Sequence, residues 1–267
     1  MFKRSTPPSR LPRASSISLT MLACMAMSAC GGGGGDGAAP ANTPPPAVNQ
    51  GAYEGSTSNT SAPDFQMLVL EDGAVWAIYG TQVSGTFFVD GFVQGQASFN
   101  SGQVSSADIR DHGFFPANSG KLTGSYTSAP AVTGQMTYGS GTVTFSATGI
   151  VSGTYVYQAA AQLADIAGSW STSLTTGETA SLTISNTGVV GGISSSGCSF
   201  TGLVAPRASG KNVFNVSLTF TSAQCALQGQ TATGIGLTYP TGTGLRQLIL
   251  LAQDSSRSAG VAAFGTR

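Results

Sequence analysis

From residue 51 onward, apolar and polar side chains alternate with a period of two. Phe214, Val216, Leu218 and Phe220 alternate with Asn215, Ser217 and Thr219; Leu182 and Ile184 alternate with Ser181, Thr183 and Ser185; Val143 and Phe145 alternate with Thr142, Thr144 and Ser146. Strict alternation makes a strand with one buried and one wetted face. Turn signals recur between these runs, at Glu71-Asp72-Gly73, Asn100-Ser101-Gly102, Asn118-Ser119-Gly120, Asn186-Thr187-Gly188 and Ser209-Gly210. Short strands separated by such turns predict an all-β fold, a barrel or a sandwich. A helix is predicted only at residues 158–167, QAAAQLADIA, which is rich in Ala and free of Gly and Pro.

That stretch divides the pattern in two. Gly51-Ala52-Tyr53 opens the first set of strands and Gly168-Ser169-Trp170 the second, each a glycine, a spacer and an aromatic with Ser and Thr following. We read residues 51–157 as an N-terminal β-barrel module, 158–165 as a linker and 166–267 as a C-terminal module, weakly similar to one another. The second module resolves into eight strands, near 168–174, 179–185, 189–195, 198–205, 211–220, 227–238, 244–252 and 258–265. An even number of short antiparallel strands joined by tight turns closes into an up-and-down barrel. For the first module a closed barrel and a sandwich both stay open, two independent sandwiches being the alternative architecture. Gly168-Ser169-Trp170 resembles the GxW opening of lipocalin-like, or calycin, barrels. A module of 102 residues has short strands, however, so its interior is expected to be filled by side chains rather than to hold a large ligand cavity.

Ahead of the strands the chain changes character twice. Residues 31–50, GGGGGDGAAPANTPPPAVNQ, hold six glycines and four prolines without a periodic apolar pattern, and read as a disordered tether. Fully extended, it reaches up to roughly 66 Å. Lys3, Arg4, Arg10 and Arg13 precede a short apolar stretch from Ile17 to Met27, a segment too short and too polar to stay in a bilayer. Met27-Ser28-Ala29-Cys30 then resembles the lipobox of bacterial lipoproteins. By that resemblance residues 1–29 are a signal peptide, Cys30 is the lipidated first residue of the mature chain, and 30–50 tether it to the membrane. Cys24, behind Met21-Leu22-Ala23, is the competing position; Ser28-Ala29 and the tether beginning directly afterwards favour Cys30. Gly31 after the cysteine, by resemblance to enteric lipoproteins, implies the outer membrane.

Removing the leader takes four of the eleven basic residues and no acid, leaving seven against eleven, a net charge of −4. Such a chain has no electrostatic footprint for nucleic acid. Charged residues make up only 8% of the sequence, which also has 37 glycines, a composition suited to an exported β protein whose outer faces are Ser and Thr. With Cys30 carrying lipid, Cys198 and Cys225 remain as one pair, expected to form a disulfide in an oxidising compartment. Alternate strands of a meander sit about 9.6 Å apart, beyond the ~7 Å that a disulfide spans. Cys225 is therefore expected in the turn after Phe220, folded back over the barrel end.

The arrangement as a whole resembles uncharacterised proteobacterial two-barrel outer-membrane lipoproteins. The resemblance rests on lipobox, tether, aromatic-after-Gly opening, the strand Gly197-Cys198-Ser199-Phe200-Thr201-Gly202 and a second cysteine, Cys225, before a Gly-rich strand. The neisserial factor H-binding and transferrin-binding lipoproteins share the broad layout, but none of their partner-contacting residues can be placed here.

Chemistry is sparse. Asp108-Ile109-Arg110-Asp111-His112 is the densest charge cluster, and His112 is the sole histidine. No second acidic cluster has ligand spacing, so the segment reads as a solvated strand end or loop. No GxSxG elbow lies in a strand–turn–helix setting, and the glycine run 31–35 lacks the Lys-Ser/Thr of a phosphate loop. Residues 85–95, with Phe87, Phe88 and Phe92 near Trp76 and Tyr79, read as core rather than an exposed aromatic patch. Strands shorter than the ~9–11 residues a bilayer needs, with Ser and Thr outward, argue against a transmembrane barrel. The expectation is a non-enzymatic lipoprotein with no catalytic residues, cofactor or metal, held to the outer membrane through its N-terminal lipid. It would bind a protein or other macromolecular partner through its loops. A periplasm-facing structural or assembly component of the envelope is the alternative.

Overall fold

The computed structural model describes residues 49–84, 86–127, 130–151, 153–241 and 244–267. The expected signal peptide, Cys24, Cys30 and all but the last two tether residues lie outside the described residues. The first nine strands are β1 (Gly51–Thr57), β2 (Asp64–Val69), β3 (Ala74–Val83), β4 (Thr86–Gln96), β5 (Ser98–Asn100), β6 (Gln103–Asp111), β7 (Asn118–Thr127), β8 (Ala131–Tyr138) and β9 (Gly141–Gly149). Apart from β4 and β5, neighbours in sequence pair antiparallel; β1 pairs with β9, and β4 reaches past the short β5 to pair with β6. An eight-stranded barrel results, with β5 as a spur, so the first module is closed.

One helical turn, α1 (Leu163–Ile166), precedes the second barrel. Its strands are β10 (Gly168–Leu174), β11 (Thr179–Ile184), β12 (Val189–Ser194), β13 (Ser199–Pro206), β14 (Phe214–Phe220), β15 (Thr231–Pro240), β16 (Arg246–Asp254) and β17 (Gly260–Thr266). They close in sequence order through β10 and β17, with Ser171–Leu174 opposite Ala263–Thr266. The helix predicted over 158–167 shrinks to that single turn. Ala161 N–H donates to the Lys211 carbonyl and Gln162 is extended, so the segment's first half is spent on pairing with the β13–β14 connection.

Both barrels belong to one compact unit. The reason is visible in the side-chain alternation of the strands between them. On β3, Val75 and Ala77 point into the first barrel, whereas Trp76 and Ile78 point away from it. On β16, Leu248, Leu250 and Ala252 fill the second barrel, whereas Ile249 and Leu251 point outward. The outward sets meet, with Leu68, Phe92 and Ile235, in a third apolar core between the barrels. Burying a side chain of this size contributes about 1.5–3 kcal/mol relative to leaving it exposed, so the shared core fastens the barrels together. Residues 85–95 contribute here: Phe92 is fully buried and Phe87 partly so in this junction, Tyr79 lines the first barrel, and Phe88 is exposed.

Candidate functional site

The segment Asp108–His112, expected to be solvated, runs instead into the junction. Asp111 is 6% and His112 8% exposed. Strand alternation sends them to opposite sides: Asp111 faces the interior of the first barrel, and His112 faces the second barrel. Short range in sequence hid this, because a charged run reads the same whether water or a neighbouring barrel covers it.

Asp111 Oδ1 accepts hydrogen bonds from Tyr79 Oη at 2.6 Å and from Gly113 N–H at 3.0 Å. Burial raises its pKa above the usual carboxylate range, and these two hydrogen bonds pull it partly back. Burial, then the nearby Asp111 charge, pushes the phenols of Tyr79 and Tyr138 well above their ordinary value. The three groups sit in a largely apolar cavity of about 220 Å³ lined by Phe65, Met67, Val104 and Leu122 among others.

His112 stacks on Phe92, ring centroids 4.4 Å apart, and its Nε2 lies 2.9 Å from Gln253 Oε1. Gln253 Nε2 donates to Gln94 Oε1 at 2.9 Å, so one side chain of the second barrel bridges two of the first in a buried chain. Burial lowers the His112 pKa, and its Nδ1 has no partner among the described residues. Polar ties flank this chain. Arg207 holds Glu71 and Asp72 at 2.6 Å each, and Arg257 pairs with Asp108.

Beyond His112 the β6–β7 connection carries Phe114 and Phe115, 60% and 84% exposed, ahead of a cis Phe115–Pro116 bond. The loop is pinned at one end by Gly113 on Asp111 and at the other by Ala117 N–H on the Ser258 carbonyl at 2.7 Å. Phe114 stands on the walls of both barrel cavities. The exposed pair was missed from sequence; Phe-Phe-Pro directly after a charge cluster in a charge-poor chain was the available signal.

The second barrel is closed at its other end. Trp170 Nε1 donates to the Ile166 carbonyl at 2.8 Å, and the Arg267 guanidinium lies over the Trp170 ring at 4.3 Å. Its open end is a cavity of about 450 Å³ lined by Leu182, Phe200, Leu218, Phe220 and Leu250. The interior is therefore filled toward the base, by Trp170, Ile184, Val204 and Phe214, and the expectation of a filled interior fails only at this end. Small side chains at Ala180, Ala252 and Ala263 line the wall and leave the space that larger ones would take. Cys198 and Cys225 form a disulfide across this rim, with Cα atoms 4.6 Å apart. Cys198 directly precedes β13 and Cys225 lies in the β14–β15 loop, which folds back over the barrel end. Among the described residues no three His, Cys, Asp or Glu gather as metal ligands, and no helix is long and apolar enough to cross a membrane.

No family model and no curated protein matches the chain. Among solved structures it is similar to a variant of transferrin binding protein B from Haemophilus parasuis Hp5, with a TM-score of 0.26 and 10% identity over 83% of this chain and 76% of that one. Isotype 1 transferrin binding protein B from serogroup B Neisseria meningitidis gives 0.25 and 10% over 84% and 78%. A protein of unknown function from Nostoc punctiforme PCC 73102 gives 0.24 and 12% over 82% and 94%. Similarity at this level says nothing about partner or site.

Proposed function

We propose that this chain is a non-enzymatic lipoprotein of the bacterial outer membrane, anchored through Cys30, whose paired barrels capture a protein partner through the loop bearing Phe114 and Phe115. The observation that carries this reading is the exposure of two adjacent phenylalanines on a loop fixed at both ends. Exposed aromatics cost solubility, and pinned ones lose little entropy on binding, the character of interface anchors. The lipobox and the tether support display away from a membrane.

The test places a photo-crosslinking residue at Phe115 in intact cells, beside a copy carrying Phe114→Ser and Phe115→Ser. A discrete adduct that the double variant loses, with its melting temperature unchanged, supports the reading. Absence of any adduct overturns it. Protease shaving of the same cells, with and without a permeabilised outer membrane, tells which side the barrels face. Protection until permeabilisation together with no adduct would favour the structural role in the periplasm.

A further inference from the structure

The open end of the second barrel is a ligand site, and we propose that it takes a cationic amphiphile: an apolar chain carrying an ammonium head. Two observations carry this. The interior beneath the rim is apolar, and its volume of about 450 Å³ falls in the span of small-molecule sites. The charged groups at the mouth are anionic. Glu178 and Asp90 line it, and no Lys or Arg does among the described residues. Ser196 Oγ donates to Glu178 Oε2 at 2.9 Å, which fixes that carboxylate on the rim. His112 also lines this space, but its Nε2 is engaged by Gln253 and its Nδ1 is buried beside Gly260, so the head group is held at the rim.

A carboxylate head would meet Glu178 and Asp90 as like charges. The site therefore discriminates by head group, while the barrel interior accepts the chain. The disulfide holds the β14–β15 loop on the rim, and Phe114 and Phe115 form the rim on the side of the first barrel. The inference stands apart from capture of a protein partner, because the cavity is separable from the exposed faces of those two rings.

The test uses the purified full chain with N-phenyl-1-naphthylamine as a neutral fluorescent probe, competed by decylamine, decanol or decanoate below their micellar concentrations. Decylamine is expected to displace the probe at least tenfold more effectively than decanoate, with decanol between them. Ala180→Phe, which fills the wall of the cavity, is expected to weaken the decylamine-displaceable signal more than tenfold. Glu178→Lys, a change at the partly exposed rim that leaves the core intact, is expected to reverse the order of amine and carboxylate. Equal displacement by decanoate and decylamine overturns the head-group assignment. A decylamine-displaceable signal unchanged by Ala180→Phe overturns the location. If Ala180→Phe does not fold, an unaltered order in Glu178→Lys overturns the proposal by itself.

Discussion

His112 Nε2 lies 2.9 Å from Gln253 Oε1 although 141 residues separate them. Because Gln253 spends its amide nitrogen on Gln94, its oxygen is left to accept, so His112 carries its proton on Nε2 and a lone pair on Nδ1. The buried chain Gln94–Gln253–His112 thus has one direction, and protonating Nδ1 would place a charge between the barrels.

That gives a pH dependence with a definite sign. Burial depresses the His112 pKa; Gln253 and Asp254 oppose the depression, and Arg257 and Arg110 add to it. Near pH 6.5 and below, the unfolded chain takes up a proton that the folded chain refuses. His112 thus imposes no penalty above that pH, and stability falls as pH drops through it, by up to ~1.4 kcal/mol per unit, until the depressed folded value is reached. Asp111, with its raised pKa, acts oppositely: its penalty is present above the raised value and fades as pH falls toward the ordinary carboxylate range. Comparing wild type with His112→Gln isolates the first effect. Thermal melts between pH 7.5 and 5.5 are expected to show a shallower decline in His112→Gln; parallel declines would contradict the assignment.

Gly260 is the contact that lets the rings of the junction close. A Cβ there would lie 2.5 Å from Phe92 Cζ and 2.6 Å from His112 Nδ1. Phe92 is fully buried and stacked on both Trp76 and His112, so it has nowhere to move. Gly260→Ala is expected to destabilise by about 1–3 kcal/mol, as overpacking does. Chemical denaturation measures this, and a change below 0.5 kcal/mol would mean that the junction yields.

Reduction tests the rim. Cys198 and Cys225 are 27 positions apart, and a cross-link over that distance is worth about 3–4 kcal/mol in the chain-entropy model. The double variant Cys198→Ser, Cys225→Ser is expected to lose about that much, with hydrogen exchange rising first in the β14–β15 loop. Exchange rising equally throughout the second barrel would assign the disulfide a role in the whole barrel rather than in its rim.

How much of this was legible depended on which face a side chain served. The second barrel's strands were readable because Phe214, Val216, Leu218 and Phe220 alternate cleanly with wetted Asn, Ser and Thr. The strands between the barrels do not alternate. Leu248-Ile249-Leu250-Leu251-Ala252 is buried throughout because odd and even positions serve different cores. Such an unbroken run signals a strand covered on both faces, and here it marked the junction. Closure of the first module was not legible, since β4 reaches past β5 to find β6. Nor were the cavities, which depend on where small residues fall around a barrel wall.

The base of the second barrel rests on Arg267, whose guanidinium lies over Trp170 and whose Nη2 donates to the Asp165 carbonyl at 3.2 Å. Gly168 permits the approach: its φ is +126°, and a Cβ there would run into Arg267 Nη1. This explains in physical terms why a glycine stands two places before the tryptophan. Arg267→Ala removes a cation–π contact, a hydrogen bond and the packed stem of the side chain, and is expected to cost about 1–2 kcal/mol. Trp170 would then be open to solvent at the base, while Trp76 stays sealed between the barrels. Acrylamide quenching of tryptophan fluorescence is therefore expected to rise in Arg267→Ala, and Arg267→Lys is expected to restore only part of the protection, since an ammonium cannot stack as a planar group. Unchanged quenching would show that α1 and Ile166 close the barrel without the arginine.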